Sequence, residues 1–121
     1  LLNRVGGPLA LFSGDDDLAC EAVLAGFNGV ISVTANVAPR QVRAVMDAAL
    51  GGKREEARKL DMKLQPLHKS MFLESNPIPV KWAVSRLGLC GDTVRLPLVP
   101  LSRQHQAPIL EAMQSAGIAF A

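Results

Sequence analysis

Two short apolar runs, Leu9–Ser13 and Gly29–Val33, constrain this chain more than any other feature. The first shows none of the apolar/polar alternation of a strand with one wet face, and the second is a β-rich run that passes into a loop. Each reads as a strand covered on both faces, which is the signature of a parallel sheet between helices. Pro8 and Gly14 bound the first run. Asp16 and Asp17 then lead into Leu18, Ala19, Ala22, Val23, Leu24 and Ala25, a helical pattern that Gly26 stops. A Ser13-x-x-Asp16 spacing predicts a cap at that helix start, where acidic residues complement the dipole.

After the second run, Pro39 suits the first position of a helix with Val42, Val45, Met46, Ala49 and Leu50 on one face, ending at Gly51-Gly52. Strand, helix, strand, helix makes two βα units, whose crossovers demand parallel strands. Two parallel strands do not finish a sheet: their edges and second faces need further cover. The pattern therefore predicts the end of a longer βα array, and Leu1-Leu2-Asn3-Arg4 reads as the interior of a longer reading frame.

From Lys53 the character changes to successive helices. Ala57, Leu60, Leu64, Leu67 and Met71 form an apolar stripe suited equally to intrachain packing and to a subunit interface. Glu55 stands four before Lys59 as a favourable helical pair, and Pro66 predicts a kink or a break. Asn76 is placed to cap a helix with Pro77 at its first position, running through Trp82 to about Leu87. Asp92 to Arg103 reads as a proline-punctuated loop, and Gln104 to Ala116 as a last helix closed by Gly117.

Composition narrows the function classes. The 121 residues are 49% apolar and 20% charged, as in a folded globular domain rather than a disordered one. Thirteen basic and 11 acidic residues are interspersed and only 4% are aromatic, which gives nucleic-acid or membrane-surface binding no footing. No apolar run approaches a bilayer span. Cys20 and Cys90 lack CxxC spacing and read as reduced, buried thiols of a cytoplasmic protein.

In parallel α/β architectures, chemistry gathers in loops after the carboxyl ends of strands. Those loops are Ser13-Gly14-Asp15-Asp16-Asp17 and Ser32-Val33-Thr34-Ala35-Asn36. Three consecutive aspartates point in different directions, and calcium loops space their acids alternately, so no metal site is expected. Gly14, just past a strand end, permits close approach of a ligand to the backbone or simply makes a turn. Ile31 and Val33 face opposite to Ser32 in a strand, and core packing is the simplest role for Ile31. His68 and His105 have no carboxylate or nucleophile at a recognisable spacing. Lys53, Lys59, Lys63, Lys69 and Lys81 all fall on predicted helices rather than at strand ends, which disfavours a Schiff-base amine among them. Tyrosine is absent.

Ser13-Gly14-Asp15-Asp16, the stretch Gly29 to Pro39, Pro66-Leu67-His68, Asn76-Pro77-Ile78-Pro79-Val80-Lys81-Trp82 and Leu96-Pro97-Leu98 resemble, in order and spacing, the 4-hydroxy-tetrahydrodipicolinate synthase (dihydrodipicolinate synthase) family of lysine and diaminopimelate biosynthesis. The resemblance runs from about Pro8 to Gly117. It implies a (β/α)8 TIM barrel with a C-terminal helical extension. Residues 1–52 would be the last two βα units, strands seven and eight, and residues 53–121 the extension. It further implies a cytoplasmic homotetramer in which pyruvate forms a Schiff base with a lysine and condenses with aspartate semialdehyde, with no other cofactor. Ile31 would line the pyruvate pocket, and Gly14 with Asp15 would stand at its mouth. The Schiff-base lysine, the tyrosine relay, the threonines that hold the pyruvate carboxylate and the arginine for the second substrate belong to earlier strands and have no counterpart here. The chain alone is therefore expected to be inactive.

Alternatives are another pyruvate-dependent class I aldolase, such as the N-acetylneuraminate lyases, which usually differ at the asparagine–proline phrase, or a non-catalytic helical oligomerisation module. A phosphate-binding barrel would need glycine and a helix N-terminus after the second strand, and Val33-Thr34-Ala35 reads as neither.

Overall fold

Both apolar runs become strands, and they pair in parallel as β1 (Phe12–Ser13) and β2 (Gly29–Val30), with Phe12 opposite Gly29 and Ser13 opposite Val30. The computed structural model describes residues 2–5, 7 and 9–120, so the Pro8 boundary lies outside the described residues. Each strand is shorter than its apolar run. The ladder is prolonged by Asn28, whose N–H donates to the Leu11 carbonyl at 2.7 Å while its Oδ1 accepts from the Leu11 N–H at 2.8 Å. At the other end the Ile31 N–H donates to the Ser13 carbonyl at 2.8 Å. A Cβ on Gly29 would stand 3.1 Å from the Phe12 ring, so glycine there lets the aromatic ring lie across the neighbouring strand.

Six helices accompany the strands among the described residues: α1 (Leu2–Val5), α2 (Ala19–Leu24), α3 (Pro39–Leu50), α4 (Arg54–Ser70), α5 (Ile78–Arg86) and α6 (Arg103–Ser115). A 3₁₀ turn, Thr34–Asn36, follows β2. Pro39 occupies the first turn of α3 as the sequence predicts, but Leu50 does not join its buried face and is exposed. Pro66 does not break α4. Met62, whose carbonyl loses its partner, is exposed, while Leu64 and Leu67 on the other side of the helix are buried in the core. Glu55 pairs at 3.7 Å with Arg58 rather than with Lys59.

The helix starts differ more from expectation. α2 begins at Ala19 without a side-chain cap; the Ser13 hydroxyl instead bonds within its own turn to Asp15, and Asp16 reaches elsewhere. α5 begins at Ile78, with Pro77 as its preceding residue and Pro79 in its first turn. Asn76, joined to Pro77 by a cis peptide bond, thus lies one residue too far out to cap it.

A single buried cluster runs through the chain. Leu64, Leu67 and Met71 on or just after α4 pack with Val45 of α3 and with Ile109 and Met113 of α6, all fully buried. Most of the stripe that suited either an interface or intrachain packing is thus taken up inside the chain, and Leu60 stays half-exposed. Helices on both sides of residue 52, α2 and α3 before it and α4, α5 and α6 after it, contribute to this core. One face of the sheet is covered, with Ser13 buried and its partner Val30 half-buried; on the other face Phe12 is exposed, its ring shielding Gly29, and Leu9 and Ile31 are exposed as well, Ile31 to 72%. Cys20 is buried as expected, but Cys90 is exposed, because it lies beyond α5 in a segment that turns away from the core. Among the described residues, no helix is long and apolar enough to cross a membrane.

Replacing Leu67 by alanine should cost about 2–5 kcal/mol in urea unfolding, whereas Met62→Ala, at a surface position, should change stability by less than about 0.5 kcal/mol. Burial, with the charges of Asp61 and Glu21 behind it, pushes the Cys20 thiol up to about 11. A thiol reagent at pH 8 should therefore modify Cys90 alone in the folded chain and reach Cys20 only on unfolding.

Candidate functional site

The loops after β1 and β2 meet, and a carboxylate joins them. Asp16, almost fully buried, accepts through Oδ2 from the backbone N–H of Val33 at 2.9 Å and of Thr34 at 3.1 Å. Its Oδ1 accepts from the Ser32 hydroxyl, whose oxygen in turn accepts from the Ala35 N–H at 2.8 Å. Asp16 therefore caps the 3₁₀ turn of the next unit rather than its own helix. The free N–H groups at the start of a helical turn attract negative charge, and here the chain supplies it. A helical turn does follow β2, contrary to the sequence reading, but its N–H groups are already taken, which still disfavours a phosphate there.

From the other side Thr34, fully buried, meets α4. His68 Nδ1 lies 2.8 Å from Thr34 Oγ1, and His68 Nε2 lies 3.8 Å from Asp61 Oδ1. Gln65 Nε2 donates to Asp61 Oδ2 at 2.8 Å and to the Asp17 carbonyl at 3.1 Å. His68 thus has both a hydroxyl and a carboxylate neighbour, which sequence spacing did not reveal; His105 likewise lies 3.8 Å from Glu74. Asp16, Asp61 and His68 also border a small cavity of about 10 Å³, room for one water molecule.

Ile31 leaves the strand at its carboxyl end, and β2 stops before it, so the alternation expected through Val33 gives way to the turn. Ile31 is not core in this chain. It lines a cavity of about 450 Å³ with Ser32, Val33, Asn36, Asn76 and Lys81, closed on its apolar side by Pro77, Val80, Val84 and Cys90. Lys81 is on a helix, as expected, but α5 packs against the turn after β2, so Lys81 lines the same cavity as Ile31. A cation and two side-chain amides beside an apolar wall suit a small molecule that carries a carboxylate.

Asp15 lies elsewhere, in a recess of about 320 Å³ with Asp17, His68, Lys69 and Phe72. Gly14 has a negative φ, and a Cβ there would meet nothing among the described residues within 4 Å. Neither its backbone nor its packing within this chain calls for glycine. Among the described residues no group of three or more His, Cys, Asp or Glu side chains is placed to hold a metal ion.

Over residues 1–116 the sequence matches the model of the dihydrodipicolinate synthetase family. The chain belongs to that family. It is 57% identical over 97% of its length to the 4-hydroxy-tetrahydrodipicolinate synthase of Alkalilimnicola ehrlichii, covering 40% of that protein. It superposes with a TM-score of 0.93, at 43% identity, on the chloride-inhibited dihydrodipicolinate synthase of Acinetobacter baumannii complexed with pyruvate, over 98% of this chain and 40% of that one. The Aquifex aeolicus dihydrodipicolinate synthase also gives a TM-score of 0.93, at 38% identity, over 98% of this chain and 41% of that one. These structural neighbours are TIM-barrel enzymes, and this synthase-family chain spans about 40% of the length of its relatives.

Hydrogen bonding with Asp17, then that neighbour's charge, burial and the charge of Asp16 hold the Asp15 carboxyl above its ordinary range. In Asp17→Asn the Asp15 midpoint, followed by NMR, should fall back toward the usual carboxylate value. Because the folded-state value is the higher one, this pair favours folding at low pH and loses that contribution as pH rises through the raised value.

Proposed function

We propose that this chain supplies one wall of the active site of a 4-hydroxy-tetrahydrodipicolinate synthase, in which pyruvate bound as a Schiff base condenses with aspartate semialdehyde for lysine and diaminopimelate biosynthesis. On this reading residues 1–52 are the last two βα units of a TIM barrel and residues 53–121 its C-terminal helical extension, in a cytoplasmic homotetramer. The observation that carries the reading is Ile31. An isoleucine at the carboxyl end of a parallel strand, exposed to 72% and at the edge of a 450 Å³ cavity, is what a pocket-lining residue requires. Family membership supplies the chemistry that such a pocket would serve.

Ile31 presents an apolar surface to the pyruvate methyl side, and its backbone N–H, bonded to Ser13, keeps it at the strand end. On this reading Gly14 borders the mouth where the second substrate arrives, whereas Asp15, which the family resemblance also puts there, lines a separate recess in this chain. The open space beside Gly14 agrees with such an approach, since none of the described residues occupies it. The uncovered faces of Phe12 and Leu9 fit a position beside further strands of a barrel. The reactive lysine and the proton relay come from outside this chain.

Two measurements test this. Borohydride reduction of the 121-residue chain with pyruvate should leave no stable adduct; an adduct, on Lys81 above all, would place the reactive amine here after all. A chimera carrying this chain in place of the matching 40% of the Alkalilimnicola ehrlichii synthase should form product from pyruvate and aspartate semialdehyde. Ile31→Ala in that chimera should raise the pyruvate KM by about tenfold, the loss expected when a hydrophobic pocket is trimmed. Activity with another aldehyde acceptor only would favour a sister aldolase.

A further inference from the structure

We infer that Asp16, Thr34 and His68 are positioning residues for pyruvate binding: together they clamp the turn after β2 and thereby set where Ile31 stands. This rests on the assignment of Ile31 to the pyruvate pocket made above. It adds a function for three buried polar residues, none of which borders the cavity that Ile31 lines.

The clamp has two jaws. One is the Asp16 carboxylate, which takes the hydroxyl of Ser32 and the N–H groups of Val33 and Thr34. The other is His68 on α4, 2.8 Å from the Thr34 hydroxyl. Ile31 sits immediately before this segment, with its own N–H bonded to Ser13 at 2.8 Å. Its side chain has little cover from this chain, so its place is set by its backbone on both sides rather than by packing. Ser13, Asp16 and Thr34 are all buried, and a buried polar group is held to one geometry because any other leaves it without a partner. The pocket wall is thereby referenced to α4, whose apolar face is locked into the core by Leu64 and Leu67.

The chimera described above carries the test. Thr34→Val keeps the shape of the side chain and removes only its hydroxyl. It should raise the pyruvate KM by about fivefold or more while the aspartate semialdehyde KM stays within about twofold. His68→Leu should do the same. His68→Asn, whose amide can reach the position of Nδ1, and Thr34→Ser should recover most of the loss. Asp16→Asn, which turns an acceptor toward a donor beside two N–H groups, should have the largest effect. Equal KM changes for both substrates, or none, in variants with the parental circular dichroism spectrum would overturn the inference.

Hydrogen exchange on the unmodified chimera supplies a readout that no unfolded variant can obscure. The Val33 and Thr34 amides should be strongly protected; rapid exchange there would also sink the clamp. If Ile31→Ala leaves the pyruvate KM unchanged, it is the pocket assignment that fails. If Ile31→Ala raises it while Thr34→Val and His68→Leu do not, only the clamp fails.

Discussion

A carboxylate taken out of water must be met by hydrogen-bond donors, and Asp16 finds its three in residues 32–34, on the far side of a helix and a strand. That requirement organises everything around the strand ends. The loop after β1 cannot drift from the turn after β2 without exposing N–H groups and stranding a buried charge. The turn itself has its N-terminal donors met by a side chain from another βα unit, so the two units are joined polar to polar as well as strand to strand. His68 and Thr34 extend the same linkage to α4, and Gln65 ties Asp61 to the carbonyl of Asp17. The result is a continuous polar seam between sheet loops and helical half.

Apolar burial holds the helices and leaves the sheet half-dressed. α4 lies between α3 and α6, and its stripe is buried apart from half-exposed Leu60. The strands receive cover from one direction, while Leu9, Phe12 and Ile31 remain open on the other. This asymmetry has a physical reading within the family: parallel strands are stable when both faces are dry, and the relatives are more than twice as long as this chain. Ile31, at the strand end, borders open volume.

Local signals carried the element map well wherever periodicity and helix termination agree. The α3 face, the α4 stripe and the glycine after α6 followed from spacing and from the residues that end helices, because those features are decided within a few turns of chain. Helix starts were less legible. Ser13 and Asp16 have the spacing of a cap, but the same side chain that could cap locally found better-placed donors farther away, and a capping pattern says nothing about competing partners. Asn76 misled for a simpler reason: α5 begins one residue later than its proline suggests. Pro66 did not divide α4, because a helix interior with strongly buried neighbours tolerates a lost hydrogen bond on its wet side.

The candidate site divided along the same line. From the sequence alone came the class of architecture, the two loops where chemistry would gather, the family resemblance, and Gly14, Asp15 and Ile31 as residues to watch; periodicity, composition and short motifs are properties of neighbouring positions and can be read there. Only the tertiary structure put Lys81 and Asn76 beside Ile31, separated Asp15 into another recess, and gave His68 its partners Thr34 and Asp61. Those placements depend on how α4 and α5 dock against the strand ends. Docking is settled by the packing of the whole core and by which buried polar atoms must find one another, and no window of sequence contains that information.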